Sequence, residues 1–378
     1  FMFNRRCPTE ISTILFAAAS DVYKGQPYIY IPSLPDIASY FNLTESQAGN
    51  LLSVYALTLS LTMLIVGVVG DSWDKRRLLV GASLSIFAGA VLSGMTNNFP
   101  VLLSGWALQA AGAATIVVIG QTWIGQRSEK NNITRLFSYL TIILSFAPLI
   151  APILGGIINE LFFWRYNFYA MAILSFLALL FINKATPPPP IHTKQSISVK
   201  EVTRNYACLL LKSPFIGLIS TSLACFLFQG ALMAYSSFLV IDQLQIKSSL
   251  YGFISIPIVT GIIIGQLSVN VIEKKQGVMT AYICNSIMIL IALTISVVYY
   301  FFTGNHSIVE LAIILFIFNI GFGGHTLVAL RNVMLKFSSQ RSYSSALINF
   351  LNHFMGYIAS LLVQLLFVFV DSPMQVHN

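Results

Sequence analysis

The sequence predicts an all-α membrane protein of two six-helix bundles around a central cavity, and three observations predict it. Of 378 residues, 56% are hydrophobic and 9% charged, whereas a soluble domain carries about 25% charged residues because its surface faces water. The apolar residues gather in long blocks, and about 20 consecutive ones at about 1.5 Å per residue cross a hydrocarbon core of about 30 Å. Lys and Arg fall in the short segments between alternate blocks, a distribution that keeps cations on the cytoplasmic side.

Eleven apolar blocks can be read: 11–33, 46–69, 78–96, 99–123, 135–159, 166–183, 214–240, 249–271, 278–302, 308–330 and 343–370. Twelve spans are expected of this architecture and eleven are present, with 371–378 resembling the turn ahead of a twelfth. If the N-terminus is cytoplasmic, 18 of the 21 basic residues lie inside, Arg165 and Lys247 lie outside, and Lys24 sits within a span. The expected location is a bacterial inner (plasma) membrane, crossed many times, with the N-terminus in the cytoplasm. Arg5 and Arg6 precede an apolar run too long for a signal peptide and without a small-residue cleavage site.

Between blocks six and seven lies the longest polar stretch, opening with Pro187-Pro188-Pro189-Pro190. Prolines cannot continue a helix, so a stiff extended segment follows the sixth span. Residues 196–211 then read as an amphipathic helix lying on the cytoplasmic face. The chain divides into an N-terminal bundle (1–184), a linker (185–213) and a C-terminal bundle (214–378), in keeping with the internal repeats of secondary transporters.

The net charge of +8 does not point to nucleic acid, because the cations are dispersed among loops. Cys7, Cys208, Cys225 and Cys284 form no CxxC pair and read as buried thiols, with neither metal nor cofactor expected. There is no G-x-x-x-x-G-K-[ST] loop, no H-E-x-x-H and no Ser/His/Asp set, so an enzyme is not expected.

The segment after the second span reads Gly67-Val68-Val69-Gly70-Asp71-Ser72-Trp73-Asp74-Lys75-Arg76-Arg77. A carboxylate beside clustered cations at helix ends suits a conformational latch. The fifth span reads Ser145-Phe146-Ala147-Pro148-Leu149-Ile150-Ala151-Pro152-Ile153-Leu154-Gly155-Gly156, followed by Phe163-Trp164-Arg165. Its prolines remove backbone donors and bend the helix, while its glycines admit close contact. These stretches resemble the G-x-x-x-D-R-x-G-R-R loop and the exporter-type motif C of the major facilitator superfamily. In the first of these Gly67, Asp71, Lys75 and Arg76 fit, whereas Ser72 and Asp74 stand where Arg and Gly are usual. Tyr30-Ile31-Pro32-Ser33-Leu34-Pro35-Asp36-Ile37-Ala38, Leu108 to Ala114 and Ser345 to Leu351 are similar to the bicyclomycin/chloramphenicol-resistance (Bcr/CflA) branch of drug:proton antiporters. The resemblance implies alternating access around a midplane site, with the loop after the second span stabilising one conformation.

Departures from that pattern bear on coupling. The family's motif B places Arg three residues before the Gln matching Gln109, and Trp106 stands there. The acidic residue usual two positions before Tyr30 is Tyr28, and a second Arg is replaced by Gln121. Asp21 and Lys24 lie about 15 and about 20 Å along the first helix and share a face that Tyr28 continues. Ionisable groups at that depth point into a cavity or pair with each other; either they line the cavity, or they form a static ion pair. Gly25-Gln26-Pro27 bends this helix beside them. His325, Asn349, Asn352 and His353 are the polar residues at depth in the second half, as cavity groups or as satisfied hydrogen-bonders. Tyr55, Trp106, Gln109, Gln121, Trp123, Gln229 and Tyr235 could stack on and hydrogen-bond to organic substrates. Gly261 and Gly265 read as helix packing alone.

These features predict a proton-linked exporter of small drug-like or metabolite molecules, working as a monomer in the bilayer. The rival reading is a transporter of an anionic metabolite, such as a carboxylate siderophore, with Lys24 holding the anion.

Overall fold

The computed structural model describes residues 26–127, 148–185, 199–303, 308–337 and 341–371. Asp21, Lys24 and the proline run at 187–190 lie outside these residues. Every regular element among the described residues is helical. The chain enters as α1 (Gln26–Tyr30), passes through a 3-10 turn (Ile31–Ser33), and continues as α2 (Leu34–Phe41). The first block therefore runs a further two turns, although Pro32 and Pro35 interrupt the regular hydrogen bonding between the pieces. Asn42 in the left-handed region (φ 53°) ends α2.

The next helices follow the apolar blocks. They are α3 (Glu45–Ser72), α4 (Lys75–Met95), α5 (Phe99–Arg127), α6 (Pro148–Leu161) and α7 (Arg165–Ala185). The amphipathic α8 (Val199–Leu210) precedes α9 (Ser213–Ser237), which continues as a π-helical turn (Phe238–Gln243). A short α10 (Ser248–Tyr251) and a 3-10 turn (Gly252–Ile254) lead into α11 (Ser255–Gln276). The chain then runs through α12 (Val278–Thr303), α13 (Ile308–Lys336) and α14 (Arg341–Asp371). Eight of the described helical segments are long and apolar enough to cross a bilayer, and two shorter apolar ones, in α6 and α7, accompany them.

Short turns alternate between two faces. One carries Lys75 to Arg77, Lys274, Lys275 and Lys336 and is called the basic face; the other carries Arg165 and Lys247. Asp74, where the family favours Gly, caps α4: its side chain accepts a 3.0 Å hydrogen bond from the Arg76 amide, and its carboxylate lies 3.5 Å from Arg77. Before the linker, α4 packs on α5 and α7, and α3 on α5; beyond it, α13 packs on α11 and α12, and α9 on α14. Small residues set these distances. A methyl at Gly265 would sit 2.0 Å from the Ile320 carbonyl, and one at Gly261 2.6 Å from that of Phe316. Lipid is as apolar as any side chain, so such approach, rather than hydrophobic drive, holds helices together.

Two regions join the parts on either side of the linker. α3 and α14 run together along their length. Toward the non-basic face Ser53 and Ser360 share a 2.9 Å hydrogen bond and Gln364 donates to Ser53 at 2.7 Å. Toward the basic face Gly67 abuts Ala346, whose Cβ would lie 2.2 Å from an added methyl. The amphipathic α8 docks at this same place, on the basic face. Tyr206 donates to the Leu64 carbonyl at 3.0 Å and rests edge-on against Tyr343, and Leu209 is fully buried.

Arg165 fastens the non-basic face. Its guanidinium donates to the carbonyls of Gly94 (3.0 Å) and Thr96 (2.8 Å) and to Asn97 Oδ1 (2.6 Å), and lies over the rings of Tyr40 and Trp164. The first two acceptors end α4, where unpaired carbonyls collect negative charge. Arg165→Ala is expected to cost about 1.5–3 kcal/mol of stability, read as a lower melting temperature in detergent. Arg165→Lys should recover less than half, because an ammonium cannot reproduce the fork.

Candidate functional site

Helix α6 is where the predicted motif residues come together. Pro148 and Pro152 withhold two amide donors from its first turns. Beyond them Gly155 and Gly156 face different partners. A methyl on Gly155 would meet the Ile29 carbonyl at 2.0 Å, and one on Gly156 the Ser248 carbonyl at 2.2 Å. Gly252 returns the contact, its missing Cβ lying 2.4 Å from the Ile153 Cα. Backbone thus rests on backbone where α6, α1 and α10 cross, on the non-basic face.

Polar side chains stitch the same crossing. Ser255 donates to the Leu149 carbonyl at 2.9 Å, beside the carbonyl that Pro152 leaves without its helical donor. Asn167 of α7 donates to Ser33 Oγ (2.8 Å) and to the Gly155 carbonyl (3.1 Å). Asn159 donates to Asp36 Oδ2 and, at 3.4 Å, to Ser248 Oγ. Lys247 lies 3.4 Å from Glu160. The off-α turns cluster here as well: that of 31–33 packs against α9 and α10, and that of 238–243 against α2 and α10. Such turns mark hinges or strained segments.

Aromatic residues lie next to this crossing. Trp106 is fully buried, with the rings of Tyr30, Tyr55 and Phe168 at 5.1, 6.0 and 6.2 Å. Tyr28 is half-buried and within electrostatic range of Tyr55 and Tyr251, and Tyr251 shares a 2.7 Å hydrogen bond with Ser236. Gln109 is spent on structure. It accepts from Tyr30 at 2.8 Å and donates to Ser93 and to the Gly105 carbonyl at 3.3 Å, tying α1, α4 and α5 together. Gln121 lies in α5, but its side chain, like that of Trp123, falls outside the described residues.

The second-half candidates do not assemble. His325 is 1% exposed, its Nε2 lies 3.2 Å from Ser286 Oγ, and its ring is 5.5 Å from that of Tyr282, which places it in the α12–α13 seam. Asn349 donates to the Ser345 carbonyl one turn back in its own helix. Asn352 accepts from Ser222 at 3.1 Å, and His353 rests edge-on to Phe226, both on α9. His325 and His353 therefore face different helices. Within the latch, Gly67 makes the tight contact already described, Lys75 and Arg76 open α4, and the side chain of Asp71 lies outside the described residues. Sequence reasoning missed the Asp36–Asn159–Ser248 group, whose members lie 123 and 89 positions apart. It also missed the ion pair of Glu273 with Arg331, which joins α11 and α13 at the basic face.

The family model described as Major Facilitator Superfamily matches residues 14–360. The chain belongs to that superfamily. Its members with this fold are membrane transporters, not enzymes. The chain is 28% identical to the MFS-type transporter YcnB of Bacillus subtilis, over 72% of its own length and 51% of that protein's. It is 26% identical to YdgK of the same organism, over 89% and 84%. It is 24% identical to the chloramphenicol resistance protein CraA of Acinetobacter baumannii, over 68% and 61%. The chain thus spans about half the length of YcnB and about six tenths of CraA. The crystal structure of a D-xylose–proton symporter superimposes with a TM-score of 0.69 at 15% identity, covering 93% of this chain and 89% of that one. The shared fold follows from that superposition, and the likeness to chloramphenicol-resistance transporters agrees with the motifs.

Gly156→Val is expected to wedge the crossing of α6 and α10 apart. The added side chain meets backbone, which cannot rotate away, and overpacking of this kind costs about 1–3 kcal/mol. A cysteine placed at buried Ile254 should then react at least about tenfold faster with an impermeant thiol reagent than in the parent.

Proposed function

We propose that the protein is a secondary active transporter exporting small organic, drug-like or metabolite molecules in exchange for protons, with the basic face in the cytoplasm. The observation that carries this reading is the crossing of α6 with α1 and α10. It joins parts from either side of the linker on one face only, through glycine-to-backbone contact and a few hydrogen bonds. Such a contact separates and re-forms without unfolding either side, as alternating access requires.

Stiffness elsewhere supports the same cycle. Gln109 ties three helices of the first part, and Gly261 and Gly265 lock α11 to α13 in the second. Movement then concentrates at the crossing. The crossing closes the non-basic face, which fits entry of substrate from the cytoplasmic side. The half-buried ring and hydroxyl of Tyr28, next to the crossing, supply a stacking face and a hydrogen bond for a flat organic molecule. Similarity to a chloramphenicol resistance protein supports export of that class.

Proteoliposomes containing chloramphenicol and an imposed pH gradient test the reading. If one proton exchanges for each neutral molecule, every unit of pH gradient sustains about a tenfold concentration ratio. Flux indifferent to the gradient removes the proton linkage; absence of flux for chloramphenicol and for a panel of dyes removes export. His325→Asn is expected to leave the pH profile of transport unchanged, since that ring serves the α12–α13 seam.

A further inference from the structure

At the edge of the crossing one carboxylate is placed against its own helix. Glu160 stands in the last turn of α6 (Pro148–Leu161), where unpaired carbonyls already gather negative charge, so the position is adverse for an anion. What holds it lies on the other side of the linker. Lys247 Nζ is 3.4 Å from the Glu160 carboxylate, and the amide and hydroxyl of Ser249 are both within hydrogen-bonding reach of it. The Asp74–Arg77 and Glu273–Arg331 pairs each lie within one part of the chain, whereas this pair joins the two.

Those partners open a helix. α10 runs through its 3-10 turn into α11, and Ser248–Gln276 is long and apolar enough to cross the bilayer as one span. The first amides of such a span have no carbonyl of their own helix to bond and carry its positive end. The amides of Leu250 and Tyr251 turn back to the Lys247 carbonyl. Lys247, at the N-cap position, supplies no side-chain acceptor, although the residues preferred there carry a side-chain oxygen. The Ser249 amide meets its acceptor in Glu160 instead. The cap of this span therefore comes from α6, which belongs to the other part of the chain.

We propose that Glu160 is a gate residue that caps the span Ser248–Gln276 from across the linker, so that closing the crossing caps this helix and opening uncaps it. This assignment rests on the transporter reading and names the side chain that holds the non-basic face shut. The Lys247 ammonium adds an attraction that is exposed and screened, and so the smaller share. The amide of Ser249 points along the helix and gives the contact its direction. Both Glu160 and Lys247 are open to solvent, so water replaces their partners when α6 and α10 part, as a reversible joint requires.

Spin labels at Met95→Cys and Val309→Cys, exposed residues at the non-basic ends of α4 and α13 on either side of the linker, report opening in the full-length chain with native cysteines replaced by Ser. Glu160→Ala should lower the ratio of short-distance to long-distance populations at least about threefold. Glu160→Gln, which keeps an acceptor oxygen without the charge, should fall between that protein and the parent. Lys247→Gln should lower the ratio only about twofold. The exchanged pair, Glu160→Lys with Lys247→Glu, restores the attraction but turns an ammonium toward the Ser249 amide, so it should be as open as Glu160→Ala. A parental ratio in Glu160→Ala overturns the assignment. A parental ratio in the exchanged pair overturns it too, because a bare ion pair then accounts for the contact. Should Glu160→Ala fail to fold, the exchanged pair decides alone. If the ratios move as expected while neither chloramphenicol nor the dyes cross the liposome membrane, the gate stands and export fails. Flux beside a parental ratio in Glu160→Ala removes the gate and leaves the export reading intact.

Discussion

The architecture depends on backbone-to-backbone contact at a few glycines. A bilayer gives helices no hydrophobic reason to associate, so close packing and hydrogen bonds must do so. At Gly155, Gly156 and Gly252 any side chain would collide with a neighbouring main chain rather than a movable group. A contact made from main chain is shape-specific yet carries no buried ion pair to break. It therefore suits a joint that opens and closes, whereas the Glu273–Arg331 pair, within one packing unit, suits a joint that stays shut.

Irregular turns around that joint belong to the same constraint. Three helix lines reach it, and each carries an off-α turn at that level: 31–33, 238–243 and 252–254. The fourth, α6, carries two prolines instead. Each irregularity releases backbone groups that lipid cannot satisfy. Asn167 donates to the Gly155 carbonyl and Ser255 to that of Leu149, so the polar residues of the crossing add hydrogen bonds to backbone carbonyls of the proline-bearing helix. Ser255, which donates to the Leu149 carbonyl from beyond the linker, also ties one part of the chain to the other.

Much of the fold was legible because hydropathy measures what a bilayer demands. The blocks at 46–69, 78–96 and 278–302 fall within α3, α4 and α12 to within a few residues, since a span must be apolar along its length. Ends were less legible: α11 runs on to Gln276 and α13 to Lys336 because helices protrude past the hydrocarbon into polar loops. The motif C glycines were legible as contact points from residue type alone, but not their partners, which depend on folding Ile29 and Ser248 against α6. Asp36 stood in a quoted motif without a role, for the same reason. His325 was open between two readings, a cavity group or a satisfied hydrogen-bonder. A deep histidine looks functional in one dimension, and only the neighbouring α12 shows that Ser286 and Tyr282 absorb it.

Deep polar residues consequently separate by what happens to their partners when the crossing opens. Gln109, Asn352 and His325 bond to helices within their own packing units, so their environment stays constant through a rocking motion, and a group whose surroundings do not change cannot exchange free energy with that motion. In the proposed cycle, the side chains that meet across the α6 crossing lose or gain neighbours as it moves. Asn159 reaches both α2 and α10, and Ser255 reaches α6 from the far side of the linker. Coupling between a proton and the conformational cycle needs a titratable group with different neighbours in the two states, and depth in the membrane is neither necessary nor sufficient for that. On this ground the side chains that meet across the crossing, rather than His325 in its stable seam, are the groups whose surroundings such a motion changes.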